Sequence, residues 1–143
     1  MVEFDGLSMR QALIKVSEEV IKPNFGKDYF GKATAMSIIN CDAYNLDEDI
    51  FYITDSGFIE ELDRFVDIVE EQTNGCNHVY LLVNLYRDGT SFEKYNDSRS
   101  YINTNRIPQY TLHNDSDIEI VNGMLDEFIN HSTDTMMEGE YNL

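Results

Sequence analysis

Three consecutive stretches carry the fold reading: HVYLLVNLY at 78–86, RDGT at 87–90 and SFEKY at 91–95. The outer two are rich in branched and aromatic residues, and Asp88-Gly89 lies between them. An Asp-Gly pair between such runs is the strongest short hairpin signal, because a type I′ turn needs positive φ at two successive residues. A two-residue loop sets Leu85 opposite Phe92 and Leu82 opposite Tyr95. The two runs are therefore expected to pair antiparallel.

Upstream, Ser56 or Asp55 is expected to cap a helix in which Phe58, Leu62, Phe65, Val66 and Val69 recur at intervals of three and four before Gly75 stops it. Residues 33–40 and 50–54 read as two strands joined by an Asn/Asp-rich loop over 40–49. An earlier helix is predicted over 8–21: Ser8 and Gln11 form a capping box, Leu13, Val16 and Val20 repeat at helical spacing, and Pro23 and Gly26 end it. Downstream of the hairpin, a short strand is expected over 107–113, with Pro108 favouring an edge position. A last helix follows over 116–131, opened by a Ser116/Glu119 capping box and facing Val121, Met124, Leu125 and Phe128 inward.

This order predicts an α+β fold: an antiparallel sheet of about four to five strands with three helices packed mainly on one face. A chain of 143 residues with 42% apolar and 12% aromatic residues suits a single domain with a real core. That domain is expected over 1–131, with 132–143 as a flexible acidic tail.

Charge is the abnormal quantity. Asp and Glu number 27 against 10 Lys and Arg, a formal net charge of −17. Such a surface repels polyanions, so direct binding to nucleic acid or to an anionic membrane is not expected. The charge is also uneven. Residues 1–32 hold five acids and five bases, and residues 33–86 hold eleven acids and one base, Arg64. Residues 87–106 hold three acids and four bases, whereas 107–143 hold eight acids and no Lys or Arg.

On the helix after Ser56, Glu60, Asp63, Asp67 and Glu70 fall within an arc of about 80°, roughly opposite the apolar residues. Carboxylates about 4.5–6 Å apart along that stripe imitate loosely the advance of about 3.4 Å per phosphate along a nucleic-acid strand. A solvated helix face that keeps the protein soluble is the plain alternative. Repulsion with only Arg64 nearby to relieve it points instead to a cationic partner. Asp47, Glu48 and Asp49, with Asp42 upstream, add a second acidic cluster flanked by Tyr44, Phe51 and Tyr52, a composition suited to docking on Arg- or Lys-rich surfaces. Asp117, Asp126 and Glu127 on the last helix form a reserve patch.

Motifs for chemistry are sparse. Asn45, Asp47 and Asp49 begin a calcium-loop pattern that Ile50 breaks, and Cys76-Asn77-His78 is too little for a zinc site, so no metal is expected. The sequence has no Gly-rich phosphate loop, nucleophile elbow or dinucleotide fingerprint, so no cofactor is expected either. Cys41 and Cys76 read as reduced thiols. The acidic N-terminal residues and the lack of any run near about 18 apolar residues predict a soluble, cytoplasmic chain.

In size and charge the chain resembles phage anti-defence proteins, anti-CRISPR proteins included, and the immunity proteins that neutralise nuclease toxins. That likeness implies a non-enzymatic inhibitor, a DNA mimic, that occupies the basic nucleic-acid groove of a nuclease or related enzyme. Glu60, Asp63, Asp67 and Glu70, with Asp47, Glu48 and Asp49, are then the contact residues. Two other classes compete. One is a small enzyme using a tyrosine or histidine with one carboxylate, and the other is an adaptor whose apolar edge, the strand near Ile107 and an exposed Ile68, pairs with a neighbour.

Overall fold

Ser8 opens the first helix through the predicted capping box: its Oγ accepts from the Gln11 N–H at 3.2 Å, and the Gln11 Oε1 accepts from the Ser8 N–H at 2.8 Å. In the computed structural model, which describes residues 6–41, 49–54, 56–73, 78–92, 99–115 and 117–138, this helix runs further than its sequence predicts. Helix α1 (Met9–Val16) passes without a break into a π-helical turn (Ser17–Ile21) and then into α2 (Lys22–Phe25). Pro23 is carried inside this rod and does not end it. A proline ring in a regular α-helix clashes with the carbonyl four residues back and lacks the N–H that would bond to it. The wider π turn, in which the Lys22 N–H donates to the Ser17 carbonyl, lets Pro23 enter as part of a fresh first turn. Gly26, at φ 102°, ends the rod.

Residues 33–40, expected as a strand, are helical: α3 spans Tyr29–Ile39. Short apolar runs fit strand and buried helix equally by pattern, and tertiary packing decides. Here Gly31 and Ala35, four residues apart on one face, are both buried. They let α3 lie against α4 (Ile59–Gln72) so closely that a Cβ at position 31 would overlap the Glu61 backbone. Residues 50–54 form no strand either; they are irregular, with Ile50 and Ile53 exposed.

Helix α4 begins two residues later than Ser56 would set it. Its N-cap is Phe58, extended and without a side-chain cap, whose carbonyl accepts from Leu62 N–H at 3.2 Å. Lys22 Nζ lies 3.1 Å from the centre of the Phe58 ring, which anchors this end of the helix to α2. Val66 and Val69 are buried as predicted. Ile68, required to be exposed by the adaptor reading, is buried too, at 4%. The helix closes on Thr73, whose Oγ1 donates to the Val69 carbonyl at 2.6 Å; Asp55 and Gly75 lie outside the described residues.

These elements belong to the first of two compact units, Met1–His78; the second is Val79–Leu143. The second unit overturns the hairpin. Strand β1 (Leu82–Tyr86) pairs in parallel with β2 (Gln109–His113), with Leu82 opposite Gln109 and Leu85 opposite Leu112. The Arg87–Thr90 turn does form, with Gly89 at φ 72° and the Thr90 hydroxyl and N–H both donating to the Arg87 carbonyl. Beyond it the Asp88 N–H donates to the Asp115 carboxylate, and the Tyr86 carbonyl accepts from Asn114 N–H at 2.7 Å. Groups that a tight hairpin would turn toward 91–95 are thus satisfied by the chain after β2. Tyr95 lies outside the described residues.

Helix α5 (Ile118–Glu138) follows, with the Asp117 carbonyl accepting its first bonds from Ile120 and Val121. It extends seven residues past His131. Val121 is buried, Leu125 and Phe128 are half-buried, and Met124 is exposed. The Phe128 ring meets Tyr110 edge to face at 5.5 Å. In place of an antiparallel sheet of four to five strands and three helices, the described residues form four helical rods and one pair of parallel strands.

Candidate functional site

Helix α4 sorts its side chains as its period dictates. Val66, Ile68 and Val69 are buried, Glu60 and Glu70 are exposed, and Asp63 and Asp67 are half-buried on the flank between. The acidic stripe is therefore present, but its middle is less open than its ends. It is also better compensated than a count along 33–86 suggests. Lys27 Nζ stands 3.8 Å from Glu60 Oε1, and Arg64 Nε stands 3.7 Å from Asp28 Oδ2. The Lys27–Glu60 pair is solvated and contributes little energy.

The third base lies deeper. Lys22, with a side chain only 8% exposed, bonds Glu18 Oε1 at 2.8 Å and lies 3.6 Å from Glu61 Oε1, while its ammonium rests on the Phe58 ring. Lys27, which pairs with Glu60 of the stripe, and Lys22, which pairs with Glu18 and Glu61, both come from the charge-balanced segment 1–32. Of the loop cluster, Asp49 is exposed, and Asp47, Glu48 and Tyr44 lie outside the described residues. Phe51 is half-buried and Tyr52 exposed.

On α5 the reserve residues Asp126 and Glu127 are exposed, as are Asp117 just before the helix and Glu119 in its first turn. Glu119 and Asp126 are seven residues apart, so they share one stripe about 10.5 Å apart along the axis. No Lys or Arg occurs anywhere in 107–143 to offset them.

A cluster that sequence reading missed sits at the C-terminal ends of β1 and β2. Tyr86 and His113 end their strands as register partners, with ring centres 5.7 Å apart and planes within 23°. Tyr101 stacks on Tyr86 at 3.8 Å, Phe92 meets Tyr101 edge-on at 5.0 Å, and the Arg99 guanidinium lies 5.9 Å from the Phe92 ring. His113 Nδ1 is 3.6 Å from Asp115 Oδ2, and the other Asp115 oxygen accepts the Asp88 N–H. At 3.6 Å this contact is too long for a hydrogen bond and is a charge pair only when the imidazole is protonated. The only sequence signal was a tyrosine and a histidine ending two strands, and it has no meaning until the strands are known to pair in parallel.

Among the described residues, no group of three His, Cys, Asp or Glu side chains could hold a metal ion, and no helix is long and apolar enough to cross a membrane. Cys41 is a free, half-buried thiol; Cys76 lies outside the described residues. Compared with protein-family models, curated proteins and solved structures, the chain matches none.

Proposed function

We propose that this chain acts by occupation, as a small acidic protein that inhibits a basic nucleic-acid-acting enzyme by covering its nucleic-acid groove. The observation that supports it most is the exposure of Asp117, Glu119, Asp126 and Glu127 along a segment with no Lys or Arg. Within the first unit the contact residues of this reading are Glu60 and Glu70 on α4, with Asp63 and Asp67 between them and Asp47, Glu48 and Asp49 upstream. Attraction between a −17 chain and a basic groove steers the encounter and releases the groove's counterions. The reading has both proteins meet in the cytoplasm, with the partner either a toxin nuclease of the same cell or a defence nuclease that a phage must silence.

The test is capture of the partner from host lysate at low salt, elution with rising salt, and inhibition of the eluted enzyme by the purified chain. Reversal of Glu60, Asp63 and Asp67 to Lys, and separately of Glu119, Asp126 and Glu127, should weaken inhibition in graded steps. Retained inhibition in both sets would sink the reading. Whose protein elutes separates immunity from anti-defence.

The His113–Asp115 pair stacked against Tyr86 supports a second reading, a small enzyme with a histidine and one carboxylate. It predicts loss of turnover in one step on His113→Asn, where the inhibitor reading predicts graded loss with each reversal of charge.

A further inference from the structure

The first rod leaves its apolar face in solvent. Met9, Leu13, Val16 and Val20 are 65%, 64%, 49% and 49% exposed, and no residue of α1 is buried. Their spacing, four then three then four, is that of the seam along which two helices pack knobs into holes. Met9, Leu13 and Val16 fall within an arc of about 60° on α1, and Val20 follows them in the π-helical turn. A scattered exposed leucine needs no explanation, whereas a contiguous seam of four does.

We propose that this seam is a self-association surface, and that its occupant is the same rod of a second copy. Two observations select a second copy over another partner. Residues 1–32 carry five acids and five bases, so two chains of −17 can bring this segment together without local repulsion. The four-three-four spacing also reads the same in both directions. An antiparallel two-fold pairing sets Met9 of one copy against Val20 of the other and Leu13 against Val16, each larger side chain meeting a smaller one. It also opposes the two helix dipoles. The rod is about 25 Å long, so the buried area lies at the low end for stable interfaces and the dimer should dissociate in the range of about 10–100 µM.

Salt separates this surface from the acidic faces. Screening relieves the repulsion between two −17 chains, so dimerisation should strengthen several-fold from about 0.05 to 0.5 M salt, whereas binding of a basic partner should weaken. Sedimentation equilibrium of the full chain at up to about 200 µM tests it. The expected result is a monomer–dimer equilibrium that Leu13→Ala/Val16→Ala weakens at least tenfold and Leu13→Glu/Val16→Glu abolishes. The Ala pair preserves the helix, as far-ultraviolet circular dichroism will register, so a misfolded Glu pair cannot imitate the result. A wild-type chain that stays monomeric at every salt concentration, or a dimer indifferent to the Ala pair, overturns the proposal.

Discussion

Gly31 lies against the backbone of Glu61, with no room for a side chain between them. Helices α3 and α4 approach through this point, and Ala35, one turn on and fully buried, continues the contact. Backbone atoms sit opposite Gly31, so a methyl group there cannot be accommodated by a rotamer change. Gly31→Ala gains about 1 kcal/mol of helix propensity but forces the helices apart, for a net loss of about 1–3 kcal/mol in urea unfolding. A neutral result would mean that the helices do not touch at this point.

Lys22 joins the first rod to α4 through a cation that water barely reaches. Lys22→Met keeps the stem but removes the cation 3.6 Å from Glu61, whose side chain is 13% exposed, and should destabilise by about 3 kcal/mol. Adding Glu61→Gln should recover at least half of that loss. A double-mutant cycle with a coupling below about 0.5 kcal/mol would show that the two side chains act independently.

Ser8→Ala removes one half of the capping box and should cost about 1 kcal/mol. α1 buries nothing, so the loss should show as fraying of residues 8–12 in amide exchange. Gln11→Ala, which removes the other half, should fray the same residues to a lesser degree.

Charge reversal on α4 divides by position. Glu70→Lys, at an exposed site, should change stability by no more than about 0.5 kcal/mol, while Asp67→Lys, half-buried, should cost more. Thermal unfolding of each variant therefore shows which reversals are clean tests of partner binding.

Local signals in the sequence were legible where local chemistry decides. The Ser8 capping box, the buried Val66 and Val69 on α4, and strands near 82–86 and 109–113 all follow from nearest neighbours along the chain. Partnership was not legible. The Asp-Gly turn forms, yet the Asp88 N–H finds Asp115, and β1 pairs with a strand beyond the turn's reach. Residues 33–40 fit strand or helix until Gly31 meets Glu61. The site divides in the same way. The acids of α4 can be counted in a window, but Lys22 and Lys27, which face Glu61 and Glu60, come from a different segment.

The parallel pairing of β1 and β2 also sets an order of events during synthesis. Helices α3 and α4 contact each other within the first unit and can close as soon as residue 72 has emerged from the ribosome. Strand β1 has no described strand partner until residues 109–113 follow, so its Val83 and Leu85 stay unpaired for the time needed to make the intervening chain, one to several seconds at about 5–20 residues per second. In that interval an apolar strand is open to pairing with a neighbouring nascent chain. Slower translation between codons 87 and 108 should therefore lower the soluble yield without altering the finished protein.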